Sequence, residues 1–319
     1  MNIYDLFRAR VEGRFGLKHY LFAWIISARL FAVPWVVLFT LFGALLAGIT
    51  NIERAIASCV IVASILLAGH FSNNYKDVEL GVDRYIDSID DAEKVCSTLK
   101  PYTAAAWVVP LKITGVRFQK ANEAAFIALS IVIYAVFFTS NVTTILTTLP
   151  IFTLGIAMAE TYTTKFKPRR LGEVAAFLAH GFGTTALGFL SQRPDVLQAI
   201  MSGIPTGLLS ALVYSVDQFV DMKTDFVKRV RSIYESWFNS RMPLGLYVLI
   251  VFVFWFNVVV AWIASGIYPR GTLIIIALIP LILFFSPQLE YDRNKALAKL
   301  VLTATFLIPL LLCVGAIIV

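Results

Sequence analysis

The sequence predicts an all-α protein that crosses a membrane about nine times. Of its 319 residues, 59% are hydrophobic and only 15% are charged, which is too apolar for the surface of a soluble globular protein. The apolar residues form runs of about 20, the length at which a helix spans a bilayer. These runs are apolar on every face, unlike the alternating strands of a membrane β-barrel. We therefore expect a helical bundle that forms a single transmembrane domain over residues 1–319.

The predicted spans follow one another with short connections. They cover residues 30–49, 54–73, 123–141, 143–162, 172–191, 196–216, 244–265, 271–287 and 299–318. Ahead of them, residues 1–20 place Ile3, Leu6 and Phe7 on one helical face and charged residues on the others. This pattern is typical of an amphipathic helix that lies in the membrane interface.

The basic residues are concentrated in alternate loops, and this indicates how the chain is oriented in the membrane. Of the 27 Lys and Arg, 23 fall in residues 1–20, 76–120, 165–170, 223–241 and 293–299, whereas the intervening loops carry three and the first span begins beside one. Positive residues favour the cytoplasmic side of a membrane. We expect a cytosolic amino terminus, an external carboxyl terminus and contacts with the lipid bilayer. The net charge of +7 is thereby explained without a nucleic-acid partner.

The three cysteines and three histidines give no sign of a metal site. No two of them have the spacing of a ligand pair, and no CxxC is present. We interpret His19, His70 and His180 as packing or interfacial residues.

Oxygen-bearing side chains gather at the cytosolic ends of two predicted spans. At the end of the second, Asn73 and Asp77 are four residues apart and share a helix face, with Asp83 following shortly after Gly81. At the end of the sixth, carboxylates recur every four residues. These are Asp217, Asp221 and Asp225. Like charges stacked on one face near a membrane repel one another and need a counter-charge.

A divalent cation shared with a phosphorylated substrate would supply that counter-charge. Carboxylate and amide oxygens favour Mg²⁺, which is often shared with substrate phosphates. Basic residues near the clusters could bind the rest of a diphosphate. They are Lys76, Arg84, Lys165, Lys167 and Lys223, with Arg29 at the start of the first span as a further candidate. The pattern predicts a substrate with a diphosphate head and a membrane-soluble tail.

Four segments together resemble the UbiA superfamily of intramembrane prenyltransferases. "ARLFAVPWVVLFTLFGALLAG" is similar to the family's first helix, with its Arg and Pro. "NNYKDVELGVD" and "DQFVDMKTD" resemble its two Asp-rich motifs, and "YTTKFKPRRLGE" resembles the loop before the fifth helix. In motif form the chain is closest to the dihydroxynaphthoate prenyltransferases of menaquinone synthesis.

The resemblance implies a fold, a reaction and a set of roles. It implies nine helices around a central cavity with a polar cytosolic cap, in the cytoplasmic membrane of a prokaryote. The acidic residues would hold Mg²⁺ while the diphosphate of a prenyl donor departs, and an aromatic quinone precursor would accept the prenyl group. Asp77 or Asp221 would act as the base on the acceptor, and Tyr162 would orient diphosphate or acceptor at the cavity rim.

Two alternatives to this prediction remain open. A lipid glycerol phosphate could replace the aromatic acceptor, because the Asp-rich motifs serve the donor in both reactions. A membrane transporter would also have many spans and polar helix ends. Transporters, however, tend to carry ionisable groups near the middle of the bilayer, and the acids here lie at one face.

Overall fold

The computed structural model describes residues 2–81, 83–98, 104–169, 171–221, 243–278, 280 and 306–318, with only the helix backbone described for 216–221. Within these residues the regular secondary structure is entirely helical. The main helices are α1 (Ile3–Val11), α2 (Leu17–Ala28), α3 (Val33–Ala47), α4 (Ile52–Glu79), α5 (Ile89–Thr98), α6 (Val116–Phe138), α7 (Val142–Thr161), α8 (Gly172–Ala176), α9 (Gly183–Gln192), α10 (Val196–Asp221), α11 (Leu244–Ala264) and α12 (Ile308–Ile317).

Two π-helical turns extend these helices. The first, Tyr162–Phe166, continues α7 and leads into a 3-10 turn, Lys167–Arg169. The second, Phe177–Phe182, joins α8 to α9 so that the three pieces make one span. In a π turn the backbone hydrogen bonds join residues five apart instead of four, and such turns are frequent at functional sites.

Seven helices in the described part of the chain are long and apolar enough to cross a membrane. They run over Leu30–Ala47, Ile52–Glu79, Val116–Phe138, Val142–Arg169, Gly172–Gln192, Val196–Ser215 and Gly245–Ala264. Each coincides with one of the first seven predicted spans, so the prediction of an all-helical polytopic membrane protein is confirmed. Of the last two, the described parts are a 3-10 helix, Arg270–Leu278, and α12. The remainder of both lies outside the described residues.

The amino-terminal segment forms two helices where the sequence predicts one. α1 ends at Val11 and α2 begins at Leu17. The apolar face of α1 is covered by the chain itself, because Ile3, Leu6 and Phe7 pack in a cluster with Trp107 and Val108. The interfacial position of this segment stays a prediction.

Small residues allow α3 and α9 to pack with their backbones in contact. A Cβ atom on Gly43 would lie 2.0 Å from the carbonyl oxygen of Thr185, and one on Gly188 would lie 1.9 Å from that of Thr40. Close approach through small residues is the usual way in which membrane helices gain van der Waals contact. This contact holds the spans that form one wall of the cavity described below.

Pro205 removes one backbone hydrogen bond of α10, and three aromatic side chains donate to carbonyl groups around it. Proline has no N–H to donate to the carbonyl four residues earlier, which is that of Met201. Trp262 Nε1 donates to the Met201 carbonyl at 2.6 Å, Tyr268 Oη donates to that of Ser202 at 2.7 Å, and Trp255 Nε1 donates to that of Pro205 at 2.8 Å. The bond from Trp262 satisfies the carbonyl group that Pro205 leaves without a helical donor.

Candidate functional site

A cavity of about 270 Å³ lies among α3, α4, α7, α8, α9 and α10. Much of its wall is apolar and aromatic, with Trp35, Leu66, Phe152 and Leu187 among the lining residues. The charged lining residues lie near helix ends or in the links that follow them, and further polar lining residues lie within the spans. Together they are Arg29, His70, Asn73, Asp77, Asp83, Tyr162, Lys167, His180, Thr184, Ser210 and Tyr214. A cavity with an apolar body and a charged head suits an amphipathic ligand.

One face of α4 carries the first acidic cluster into the cavity. His70, Asn73 and Asp77 recur at three- and four-residue intervals, so they lie on one helical stripe. The helix ends at Glu79, Leu80 caps it, and Gly81 adopts φ 68°, the left-handed conformation that glycine tolerates best. The chain then turns back, and the backbone N–H of Asp83 donates to the carbonyl of Asp77 at 3.1 Å. Asp83 thereby joins Asp77 at the head of the cavity.

Lys167 forms a two-pronged ion pair with Asp77. Its Nζ lies 3.0 Å from Oδ1 and 2.9 Å from Oδ2 of the carboxylate. Both side chains are largely withdrawn from solvent, with 13% of Lys167 and 4% of Asp77 exposed. A pair with so little solvent contact exerts a much stronger mutual attraction than an exposed surface pair.

The π-helical turn after α7 brings further polar side chains to the same place. Thr163 donates to Oδ1 of Asn73 at 2.8 Å, which joins this turn to α4. The hydroxyl of Tyr162 forms a short hydrogen bond with that of Tyr214 on α10. Gly172 makes room for this pair, because a Cβ atom there would lie 2.2 Å from the Tyr214 hydroxyl. The turn therefore joins α4 to α10.

The described part of the second acidic cluster lies at the same end of the bundle. Asp217 and Asp221 lie on α10 three and seven residues after Tyr214, which meets Tyr162 at the cavity. A helical spacing of three and seven residues puts these positions on one face of α10. Their side chains, and all of Lys223 and Asp225, lie outside the described residues.

Arg29 lines the cavity from a strained position. It ends α2 with φ 48° and ψ 50°, in the left-handed region that residues other than glycine rarely adopt. Its Nε is buried and has no hydrogen-bond partner among the described residues. A guanidinium held in this way at the wall of a cavity is a candidate for binding an anion.

The structure places three of the predicted diphosphate ligands away from the cavity. Arg84 and Lys165 are exposed. Lys76 points between α6 and α7, where its Nζ lies 3.4 Å from a carboxylate oxygen of Glu123 and 3.0 Å from one of Glu160. Lys76 and Asp77 point in different directions from the helix, but the sequence does not show which of these directions faces the cavity. Only the packing of the bundle decides that.

Three polar residues outside the predicted set also lie at the site. Tyr214 contacts Tyr162, and His70 and His180 both line the cavity. His70 could have been found from helical periodicity, since it lies three residues before Asn73 and seven before Asp77. His180 and Tyr214 meet the site only through tertiary packing.

The described donor atoms at the head of the cavity fit a hard divalent cation. Among the described side chains no group of three His, Cys, Asp or Glu could hold a metal by itself. Asn73, Asp77 and Asp83 nevertheless line the same cavity with amide and carboxylate oxygens. Both carboxylate oxygens of Asp77 already contact a cation, the ammonium group of Lys167. Oxygen donors of this kind match Mg²⁺.

Comparisons with known proteins show the fold. No family model and no curated protein matches the sequence. Two solved structures match the chain. A UbiA homolog from Aeropyrum pernix K1, in its apo form, has a TM-score of 0.65 and 15% identity, over 90% of this chain and 97% of that one. A digeranylgeranylglyceryl phosphate synthase has a TM-score of 0.59 and 18% identity, over 94% and 99%. The chain therefore has the fold of UbiA-type membrane proteins.

Proposed function

We propose that the protein transfers a prenyl group from a prenyl diphosphate to a small acceptor inside the membrane. The observation that carries this proposal is the arrangement of Lys167, Asp77 and Asn73 at the charged head of an otherwise apolar cavity. The shared fold with a UbiA homolog and a digeranylgeranylglyceryl phosphate synthase supports the same activity.

The isoprenoid tail of the donor would bind in the apolar body of the cavity, and its diphosphate would bind at the charged head. The apolar wall around Leu66, Phe152 and Leu187 would exclude water from an isoprenoid tail. At the head, Lys167 would exchange its bonds with Asp77 for bonds with the diphosphate, and Arg29 would offer its unpartnered Nε. Both cations would favour the negative charge that grows on the leaving group, an effect worth several kcal/mol when water is excluded.

Acidic residues would hold Mg²⁺ at this head. The candidates are Asn73, Asp77 and Asp83 from the first cluster and Asp217, Asp221 and Asp225 from the second. When bound, the metal supplies Lewis-acid charge that makes the diphosphate a better leaving group. Tyr162 and Tyr214 would fix the position of the diphosphate end, and the aromatic wall, including Trp35, would face the allylic carbon and favour positive charge there.

An aromatic quinone precursor is the acceptor that we favour, with dihydroxynaphthoate as the first compound to test. The choice rests on the segment "NNYKDVELGVD", which resembles the first Asp-rich motif of the dihydroxynaphthoate prenyltransferases. The second candidate is a lipid glycerol phosphate, which the shared fold with the digeranylgeranylglyceryl phosphate synthase favours. The residues at the head of the cavity serve the donor in both cases and do not distinguish the two acceptors.

The test is a transfer assay with the full chain in lipid nanodiscs. Radiolabelled prenyl diphosphates of several lengths would be paired with dihydroxynaphthoate, hydroxybenzoate and geranylgeranylglyceryl phosphate, with Mg²⁺ or EDTA. We expect a Mg²⁺-dependent prenylated product with an aromatic acceptor. A product with the glycerol phosphate alone would select the second candidate. Flux of a substrate across liposomes without product in any pairing would indicate a transporter instead.

A further inference from the structure

His70 lies deeper in the cavity than Asn73 and Asp77. It shares the cavity-facing stripe of α4 with Asn73 and Asp77. At about 1.5 Å of rise per residue, it is one helical turn inward from Asn73 and two from Asp77. Arg29 adjoins it, so a group at this depth would lie at the inner side of the diphosphate, beside the region where the reacting carbon and the acceptor would meet.

A backbone carbonyl fixes the tautomer of His70. Its Nδ1 lies 2.8 Å from the carbonyl oxygen of Ala28, and because a carbonyl can only accept, Nδ1 carries the hydrogen. Ala28 is the last residue of α2, so its carbonyl lacks a partner from a following helical turn. Asn74 donates to the neighbouring carbonyl of Ser27 at 3.1 Å, so α4 caps α2 through two side chains.

The second ring nitrogen of His70 is available for chemistry. In the neutral ring with hydrogen on Nδ1, Nε2 has a lone pair and can accept a proton. Nε2 has no hydrogen-bond partner in the described part of the chain, and the ring lines the cavity. Among the described residues, the titratable groups that face it are Arg29, from the link between α2 and α3, and His180, from the second π-helical turn.

We propose that Nε2 of His70 accepts the proton that the acceptor loses during prenyl transfer. This inference rests on the proposed function. The allylic C–O bond breaks with its electron pair going to the diphosphate, and the acceptor carbon or oxygen forms the new bond to the allylic carbon. The proton on the acceptor then passes to Nε2, and from there to the departing diphosphate, which restores the neutral ring. This role takes the place of the base that the sequence assigned to Asp77 or Asp221.

A variant that keeps the cap and removes the base tests this role. In His70→Asn the side-chain amide nitrogen occupies the place of Nδ1 and can still donate to the Ala28 carbonyl, while no atom replaces Nε2. The matched control is His180→Asn, a second cavity histidine for which the structure describes no side-chain bond to a backbone carbonyl. Each protein would be assayed for transfer, for hydrolysis of the prenyl diphosphate without acceptor, and for thermal stability.

The expected result is a loss confined to one step. General-base catalysis contributes about 10²- to 10⁴-fold, so His70→Asn should lower the transfer rate at least 100-fold. It should leave acceptor-free hydrolysis and thermal stability near the wild-type values. His180→Asn should keep the wild-type ratio of transfer to hydrolysis.

Other outcomes would overturn the inference. Retention of transfer within a few-fold in His70→Asn would show that His70 only caps α2. Parallel loss of transfer and hydrolysis, in a protein as stable as wild type, would place His70 in the donor step. A wild-type protein that neither hydrolyses nor transfers with any donor would overturn the proposed function itself. That result differs from the failure of the His70 role alone, in which the wild-type protein is active.

Discussion

The ammonium nitrogen of Lys167 contacts both carboxylate oxygens of Asp77, at 3.0 Å and 2.9 Å, across the head of the cavity. The pair joins the segment that follows α7 to the end of α4. Each partner is also the candidate for a different ligand, since Lys167 would bind the diphosphate and Asp77 would bind Mg²⁺. Donor binding would therefore separate a pair that holds the site together beforehand.

Lys167 should be needed for turnover. Lys167→Gln removes a cation that faces the leaving group, and loss of one such donor typically costs about 10²- to 10³-fold in rate. We expect kcat for prenyl transfer to fall in that range. The control is Lys165→Gln, since Lys165 is exposed two residues earlier. Equal losses in the two variants would show that the effect is general electrostatics and not the contact at the cavity.

Lys76 should matter for stability. It is 13% exposed and is held between Glu123 and Glu160, and removal of one partner from a buried ionic group costs about 3–5 kcal/mol. Lys76→Met should lower the unfolding temperature in detergent while the folded fraction keeps its affinity for prenyl diphosphate. Lys120→Met is the control, because the Lys120 pair with Glu79 is exposed and contributes about 1 kcal/mol or less. If the Lys76→Met protein were as stable as wild type but no longer bound the donor, Lys76 would have to be a ligand of the diphosphate.

Gly188 should not tolerate a larger side chain. The new Cβ in Gly188→Ala would lie 1.9 Å from the Thr40 carbonyl oxygen, so α3 and α9 would have to separate. Overpacking of this kind typically costs about 1–3 kcal/mol. Gly115→Ala is the matched control, since nothing lies within 4 Å of its Cβ position. Thermal unfolding in detergent that gave the same midpoint for both variants would contradict the close contact of the two helices.

The hydrogen bond from Trp262 to the Met201 carbonyl should depend on Pro205. Trp262→Phe leaves that carbonyl without its donor, which costs about 1–3 kcal/mol for a buried group. Pro205→Ala supplies a backbone N–H that can reach the same carbonyl. In a double-mutant cycle of unfolding free energies, Trp262→Phe should therefore cost less in the Pro205→Ala background. Additive costs would show that Trp262 does not replace the missing helical bond.

Much of the fold follows from the sequence alone. Apolar runs of the right length are a local property, and seven of them became helices within the described residues. The break at residues 12–16 was missed, because the apolar residues continue beyond it and only the backbone turn at Gly13, with φ 70°, separates α1 from α2. Seven of the nine predicted spans are therefore described as long membrane helices.

The site was only partly predictable, for a physical reason. Asn73, Asp77 and Asp83 could be grouped because they are neighbours along one helix and its end. The contact of Lys167 with Asp77 joins residues 90 positions apart, and no local pattern distinguishes Lys167 from Lys165 or Lys76. The sequence indicates only a packing role for His70, because its bond to the Ala28 carbonyl connects residues 42 positions apart.

The central claim is that Asp77 belongs to a site where a prenyl diphosphate loses its head group. The most direct measurement is the Mg²⁺-dependent release of diphosphate from a labelled prenyl donor by the nanodisc protein, for wild type, Asp77→Asn and Asp221→Asn. We predict release by wild type that EDTA abolishes, and a loss of at least 100-fold in each variant although both remain folded. Wild-type release in Asp77→Asn would contradict the account.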